Sequence, residues 1–100
     1  MVMQKGRAVH STLFLLRVVD SPDPGSKSVI SAVAPSKIAK TAVLRNSTRR
    51  KMYEAIKDHV PLFKHGQLAV ILAKQTALTV SVQEMKTDMK PLFVKAGLLK

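Results

Sequence analysis

One hundred residues with 46% hydrophobic content are enough for one small domain with a single core and too apolar for a disordered tail. Seventeen Lys and Arg against six Asp and Glu leave a net charge of +11, which attracts polyanions, nucleic acid first and an anionic membrane surface second. Cysteine is absent, which excludes disulfide staples, thiolate zinc sites and cysteine nucleophiles together.

The opening M-V-M-Q-K-G-R is basic, but Ala8 to Thr12 is broken by polar residues and lacks the continuous apolar core of a signal peptide. No apolar run approaches the roughly 18 residues of a spanning helix, and Thr12 to Val19 is interrupted by Arg17. The expectation is a cytoplasmic protein with no membrane partner. Without an internal repeat or low-complexity tract, residues 1–100 read as one domain.

Residues 12–19, T-L-F-L-L-R-V-V, are rich in β-branched and aromatic types and predict a strand. Alternation puts Phe14, Leu16 and Val18 on one face and Leu13, Leu15, Arg17 and Val19 on the other. Arg17 therefore interrupts an apolar surface, either as a strand end reaching solvent or as a cation placed under a bound phosphate. The D-S-P-D-P-G-S segment that follows is built of turn residues and predicts a hairpin connection, with S-V-I-S-A-V-A at 28–34 as the returning strand. Pro35 ends that strand because it offers no N–H to a ladder.

Ser36 to Lys57 holds seven basic residues (Lys37, Lys40, Arg45, Arg49, Arg50, Lys51, Lys57) against one acid, Glu54. With Thr41 as N-cap, a helix is expected to run to Asp58 or His59, stopping before Pro61. At 100° per residue Leu44, Thr48, Met52, Ala55 and Ile56 gather on a core side, while Arg45, Asn46, Arg49, Arg50, Tyr53 and Lys57 form an adjoining arc. Such an arc is either a solvated face or a phosphate-binding surface with Asn46 for a base edge or sugar. Tyr53 is either a half-buried rim residue or a ring on which an unpaired base stacks.

Val60 to Gln67 is a connection, and L-A-V-I-L-A at 68–73 reads as a buried strand. Thr76 to Thr79 is ambiguous. Ser81 and Glu84 form a capping box opening a last helix from Val82 towards Ala96, with Gly97 as its stop and Pro91 predicting a kink or break. The order strand, strand, helix, strand, helix indicates an α+β two-layer sandwich, a small sheet covered by helices.

Candidates for catalysis are thin. His10, His59 and His65 are scattered, Glu54 and Asp58 sit where they balance Arg50 and neighbouring cations, and no phosphate-binding loop or H-E-x-x-H is present. No catalytic centre and no protein-held cofactor or metal is assigned to the polypeptide.

At K-I-A-K-T-A-V-L-R-N-S-T-R-R-K-M-Y-E-A the chain resembles the signature helix of the bacterial ribonuclease P protein subunit, usually close to K-x-x-K-x-A-V-x-R-N-R-x-(K/R)-R-x-x-R-E-A. Gly6 to Arg17 is similar to the family's approach to its first strand, and K-A-G-L-L at 95–99 to its closing helix. The resemblance implies a fold like the second domain of ribosomal protein S5, with a left-handed βαβ crossover where the general rule expects a right-handed one. It implies an accessory subunit of an RNA-based endoribonuclease that matures transfer RNA 5′ ends. Its implied partners are a catalytic RNA, whose magnesium ions perform the hydrolysis, and the single-stranded 5′ leader of the precursor, held between the signature helix and the sheet. No obligate protein partner is evident.

By position, Arg45 and Asn46 match the start of the Arg-Asn-Arg motif, Arg49 and Arg50 its following basic pair, and Lys37 and Lys40 the basic approach. Ser47 replaces the second motif Arg, Tyr53 stands where a further Arg is common, and Pro35 and Ser36 replace a usual Ser-Lys. The family's usual N-terminal helix is expected to be missing, the sequence starting just after it. The alternative is a non-catalytic ribosomal or ribosome-assembly RNA-binding protein of the same layout. A duplex DNA binder is a third reading, weakened by the lack of a helix-turn-helix partner before the basic helix.

Overall fold

Phe14, Leu16 and Val18 are fully buried along one face of strand β2 (Phe14–Asp20), as alternation requires, while Arg17 on the other face is exposed. The computed structural model describes residues 7–20, 25, 27–64 and 66–99. Among these, β2 shares one sheet with β1 (Arg7–His10), β3 (Val29–Val33) and β4 (Gln67–Ala73), in the order β1-β2-β4-β3. β2 pairs antiparallel with β1 and β4, whereas β3 and β4 run parallel, so helix α1 (Ala42–Lys57) forms the crossover between them. Helix α2 (Val82–Lys95) follows and packs with α1 over one face of the sheet.

Each helix end has a local cause. Thr41 Oγ1 accepts the Leu44 N–H at 3.1 Å and starts α1, whose Thr48, Met52, Ala55 and Ile56 are buried at helical spacing. Gly97, at φ +72°, ends α2 in the left-handed region where a side chain would be strained. The Gly97 N–H reaches the Val94 carbonyl at 3.1 Å and the Leu98 N–H the Phe93 carbonyl at 3.0 Å, a Schellman closure. Lys64 N–H then donates to the Leu98 carbonyl at 2.8 Å, tying the chain's end to the segment after α1. Phe93 is the hub of this end of the core, with Phe63 and His59 each edge-on to its ring at 5.3 Å.

Several expectations are corrected. Strands 12–19 and 28–34 form no hairpin with each other, since β4 lies between β2 and β3. The observed hairpin is β1 with β2, and β1 falls in the polar stretch that carried no strand signal. The D-S-P-D-P-G-S segment lies largely outside the described residues. β4 is buried on one face only, because Leu68 and Val70 are each 38% exposed on the uncovered side. Leu44, in the first turn of α1, is 36% exposed and stands outside the core stripe.

Pro91 does not break α2. A proline inside a helix costs about 3 kcal/mol, but α2 buries Met85, Met89, Leu92 and Phe93, each contributing about 1.5–3 kcal/mol. Pro91 and Thr87, the residue four earlier whose carbonyl loses its helical partner, both lie on the exposed side of α2. At the start of α2, Ser81 Oγ accepts the Glu84 N–H at 3.2 Å. The reciprocal bond of the capping box is replaced by the Ser81 hydroxyl donating to Glu84 Oε1 at 3.4 Å.

Candidate nucleic-acid interface

The crossover sets α1 alongside β3, an edge strand with one row of backbone groups outside the ladder. Tyr53 takes one of these: the Ala32 N–H donates to its Oη at 3.0 Å. The ring is 41% exposed, so this residue is at once a tether at the rim and an open aromatic surface.

Upstream of Tyr53 a groove of about 430 Å³ runs between the strand and the helix. One wall is Ser31, Ala32, Val33 and Ala34, the other Arg45, Asn46, Arg49 and Tyr53. Positions 45, 46, 49 and 53 share a helix side through i, i+3 and i+4 spacing, which explains why two cations, an amide and a phenol line one channel. Arg45 is held in place by a hydrogen bond from its guanidinium to the Ala39 carbonyl at 3.0 Å, while Asn46 and Arg49 are exposed. Lys37 and Lys40 are exposed in the turn before α1, where the Ile38 and Ala39 N–H groups close onto the Pro35 carbonyl at 3.1 and 3.0 Å.

Arg50 and Lys57 line a second pocket, on the downstream side of Tyr53. Lys57 pairs with Glu54 at 3.0 Å, and that hydrogen bond and charge raise the Lys57 pKa. Asp58 pairs with Lys86 at 2.6 Å, which holds its carboxyl below the usual range. Both acids balance neighbouring cations, as expected, but the partners are Lys57 within α1 and Lys86 across on α2 rather than Arg50. Lys51 is turned to structure, donating to the Val80 carbonyl at 2.9 Å.

Arg17 stands mid-strand rather than at a strand end, on the uncovered face of the sheet, in a row with Ala8, Val70 and Ser31. Ser31 also lines the groove, so Arg17 lies two strands, roughly 10 Å, from it. The resemblance implies a cleft between the signature helix and the sheet, but not that the β3 edge is the strand that forms its wall. The only signal was the small-residue run S-A-V-A, which leaves room beside the backbone. Among the described residues, no group of three or more His, Asp or Glu side chains could hold a metal ion. No helix among them is long and apolar enough to cross a membrane.

The model of the family described as Ribonuclease P matches residues 1–97. The chain belongs to the ribonuclease P protein family. It is 31% identical over 98 residues to the ribonuclease P protein component of Symbiobacterium thermophilum, covering 98% of this chain and 84% of that one. The corresponding component of Microcystis aeruginosa is 28% identical, over 94% of this chain and 80% of the relative. The fold is that of solved ribonuclease P proteins. The Staphylococcus aureus protein superposes with a TM-score of 0.80 at 18% identity, over 99% of this chain and 88% of that one. The Thermotoga maritima protein gives 0.79 at 14% identity, over 94% and 86%. The α+β sandwich expected from the sequence is thereby established, as is its resemblance to ribonuclease P proteins.

Proposed function

We propose that this chain, as the protein component of ribonuclease P, binds the catalytic RNA and holds the single-stranded 5′ leader of precursor transfer RNA in the groove between α1 and β3. The observation that carries this reading is the groove itself, with two arginines, an amide and a tyrosine ring facing a strand edge. Arg45 and Arg49 neutralise phosphates, Asn46 hydrogen-bonds a base edge or sugar, and the exposed Tyr53 ring receives an unpaired base. Lys37, Lys40, Arg50 and Lys57 extend the positive surface along the helix, and Arg17 meets a strand that leaves the groove across the open sheet face. The polypeptide's share of the reaction is binding and placement, while hydrolysis belongs to the RNA and its magnesium ions. The setting is the cytoplasm. A ribosomal or ribosome-assembly role is not favoured, since the relatives compared are named as ribonuclease P components.

The test is cleavage of a leader-bearing precursor by the cognate catalytic RNA at low magnesium, with and without the chain. Stimulation is expected, and the chain alone cleaves nothing. An active RNA whose magnesium requirement and rate are unmoved by the folded chain contradicts the reading.

A further inference from the structure

The second pocket, beyond Tyr53, is chemically unlike the first. Arg50, Tyr53, Glu54 and Lys57 follow i, i+3, i+4, i+7 spacing and so form one stripe of α1. Facing them are Ile30 of β3 and Val60 just after the helix, over Ile56, which is only 2% exposed. The pocket is open to solvent and has a volume of about 520 Å³. Its walls are apolar with one aromatic ring, and its rim carries two cations and a single carboxylate. A flat group with an apolar face fits the interior, and a phosphate fits the rim.

Glu54 decides which flat group. It is the one acid among the seven cations of Ser36 to Lys57, on a surface built to attract phosphate, where a carboxylate lowers affinity. Its Oε1 is engaged by Lys57 at 3.0 Å, and an ionised carboxylate retains acceptor capacity for a second donor. A carboxylate accepts from the exocyclic amine of cytosine and repels the carbonyl oxygen that uracil presents at the same place. We propose that this pocket takes one unpaired nucleobase bearing an exocyclic amine, that Glu54 reads the amine, and that Arg50 and Lys57 hold the adjoining phosphate. The inference rests on the RNA-binding role above and deepens it, because it gives the leader or the catalytic RNA a point of base preference at a residue where phosphate binding alone gains nothing. Tyr53 is part of the device. It lines both pockets and supplies the aromatic wall between them.

The experiment is a titration of the full chain with cytidine 5′-monophosphate and, separately, uridine 5′-monophosphate, followed by NMR of the Ile30, Ile56 and Val60 methyls and the Tyr53 ring. Tyr53 is the sole tyrosine in the chain, so its ring signals report this wall without assignment ambiguity. The cytidine nucleotide is expected to shift all four residues and to bind about fivefold tighter than the uridine one, as one charge-assisted hydrogen bond allows. Glu54→Gln should bring the two within about twofold, because an amide donates as well as accepts. Val60→Trp, at a position 48% exposed and so tolerant of size, should fill the pocket and remove the shifts for both. Equal affinities that Glu54→Gln leaves unchanged overturn the proposal, as do shifts confined to Ser31 and Asn46 in the first groove. Either result leaves the low-magnesium cleavage test untouched, so failure of the base preference is distinguishable from failure of the subunit role.

Discussion

Thr48 is 1% exposed in the middle of the α1 core stripe, and its Oγ1 has no hydrogen-bond partner. A buried hydroxyl left unpaired costs about 1–3 kcal/mol, whereas a methyl in its place costs nothing in hydration. Thr48→Val should therefore stabilise the fold by about 1 kcal/mol, raising the thermal midpoint by about 4–8 °C in a chain this small. Circular dichroism melts of the two proteins check it, and a lowered midpoint would mean that the hydroxyl is satisfied. His59 carries a second residue-scale prediction. Burial beside Phe93 lowers its pKa, so the neutral ring is favoured in the folded state. The unfolded chain then binds more protons just below the ordinary histidine value of about 6.5, and stability is complete above that pH and declines as pH falls through the window beneath it. Asp58, held low by Lys86, loses its contribution only below about pH 4, outside that window. His59→Phe should flatten the dependence of urea stability on pH between about 6.5 and 5, and an unchanged slope would assign the effect elsewhere.

At the scale of elements, α1 was the most legible because three independent signals agreed: a Thr cap, an i, i+4 apolar stripe and a proline shortly after the end. The β3 and β4 strands were legible as strands but not as neighbours. Pairing depends on which strand best fills the sheet interior, and β4, with apolar residues at nearly every position, takes the place between β2 and β3 that a local hairpin would have occupied. The single-strand signal also hid which face of β4 is covered, since Leu68, Val70 and Leu72 look as core-like as Ala69 and Ile71. Pro91 misled for the opposite reason, a strong local penalty being outweighed by the four buried residues of α2. The helix orientation itself is testable. Arg49 and Arg50 are both exposed, so replacing the pair by Ala should leave the helical signal and melting point nearly unchanged. It should weaken RNA binding and reduce the slope of log affinity against log salt by about 1–2, as loss of two phosphate contacts requires. Unfolding of the double variant would place these residues in the core instead.

Over the whole molecule, charge and fold divide the work. In the proposed role the net charge of +11 attracts RNA with little selectivity, and the groove between α1 and the β3 edge gives that attraction a direction. The arc of Arg45, Asn46, Arg49 and Tyr53 could be read from helical spacing alone. Its opposing wall could not, because nothing in S-V-I-S-A-V-A states that this strand is an edge or that its free backbone faces the helix. Arg17 illustrates the same limit. Its interruption of an apolar face was visible, but its place in a row with Ser31 depends on β4 lying between their strands. The measurement that bears most directly on the leader-holding role is the affinity of catalytic RNA, with and without the chain, for precursor transfer RNA carrying a 5′ leader and for the same RNA with the leader removed. The chain should tighten binding of the leader-bearing form by about tenfold or more, the equivalent of roughly 1.4 kcal/mol, and leave the leaderless form nearly unchanged. Equal tightening of both, or of neither, would contradict a leader held between α1 and β3.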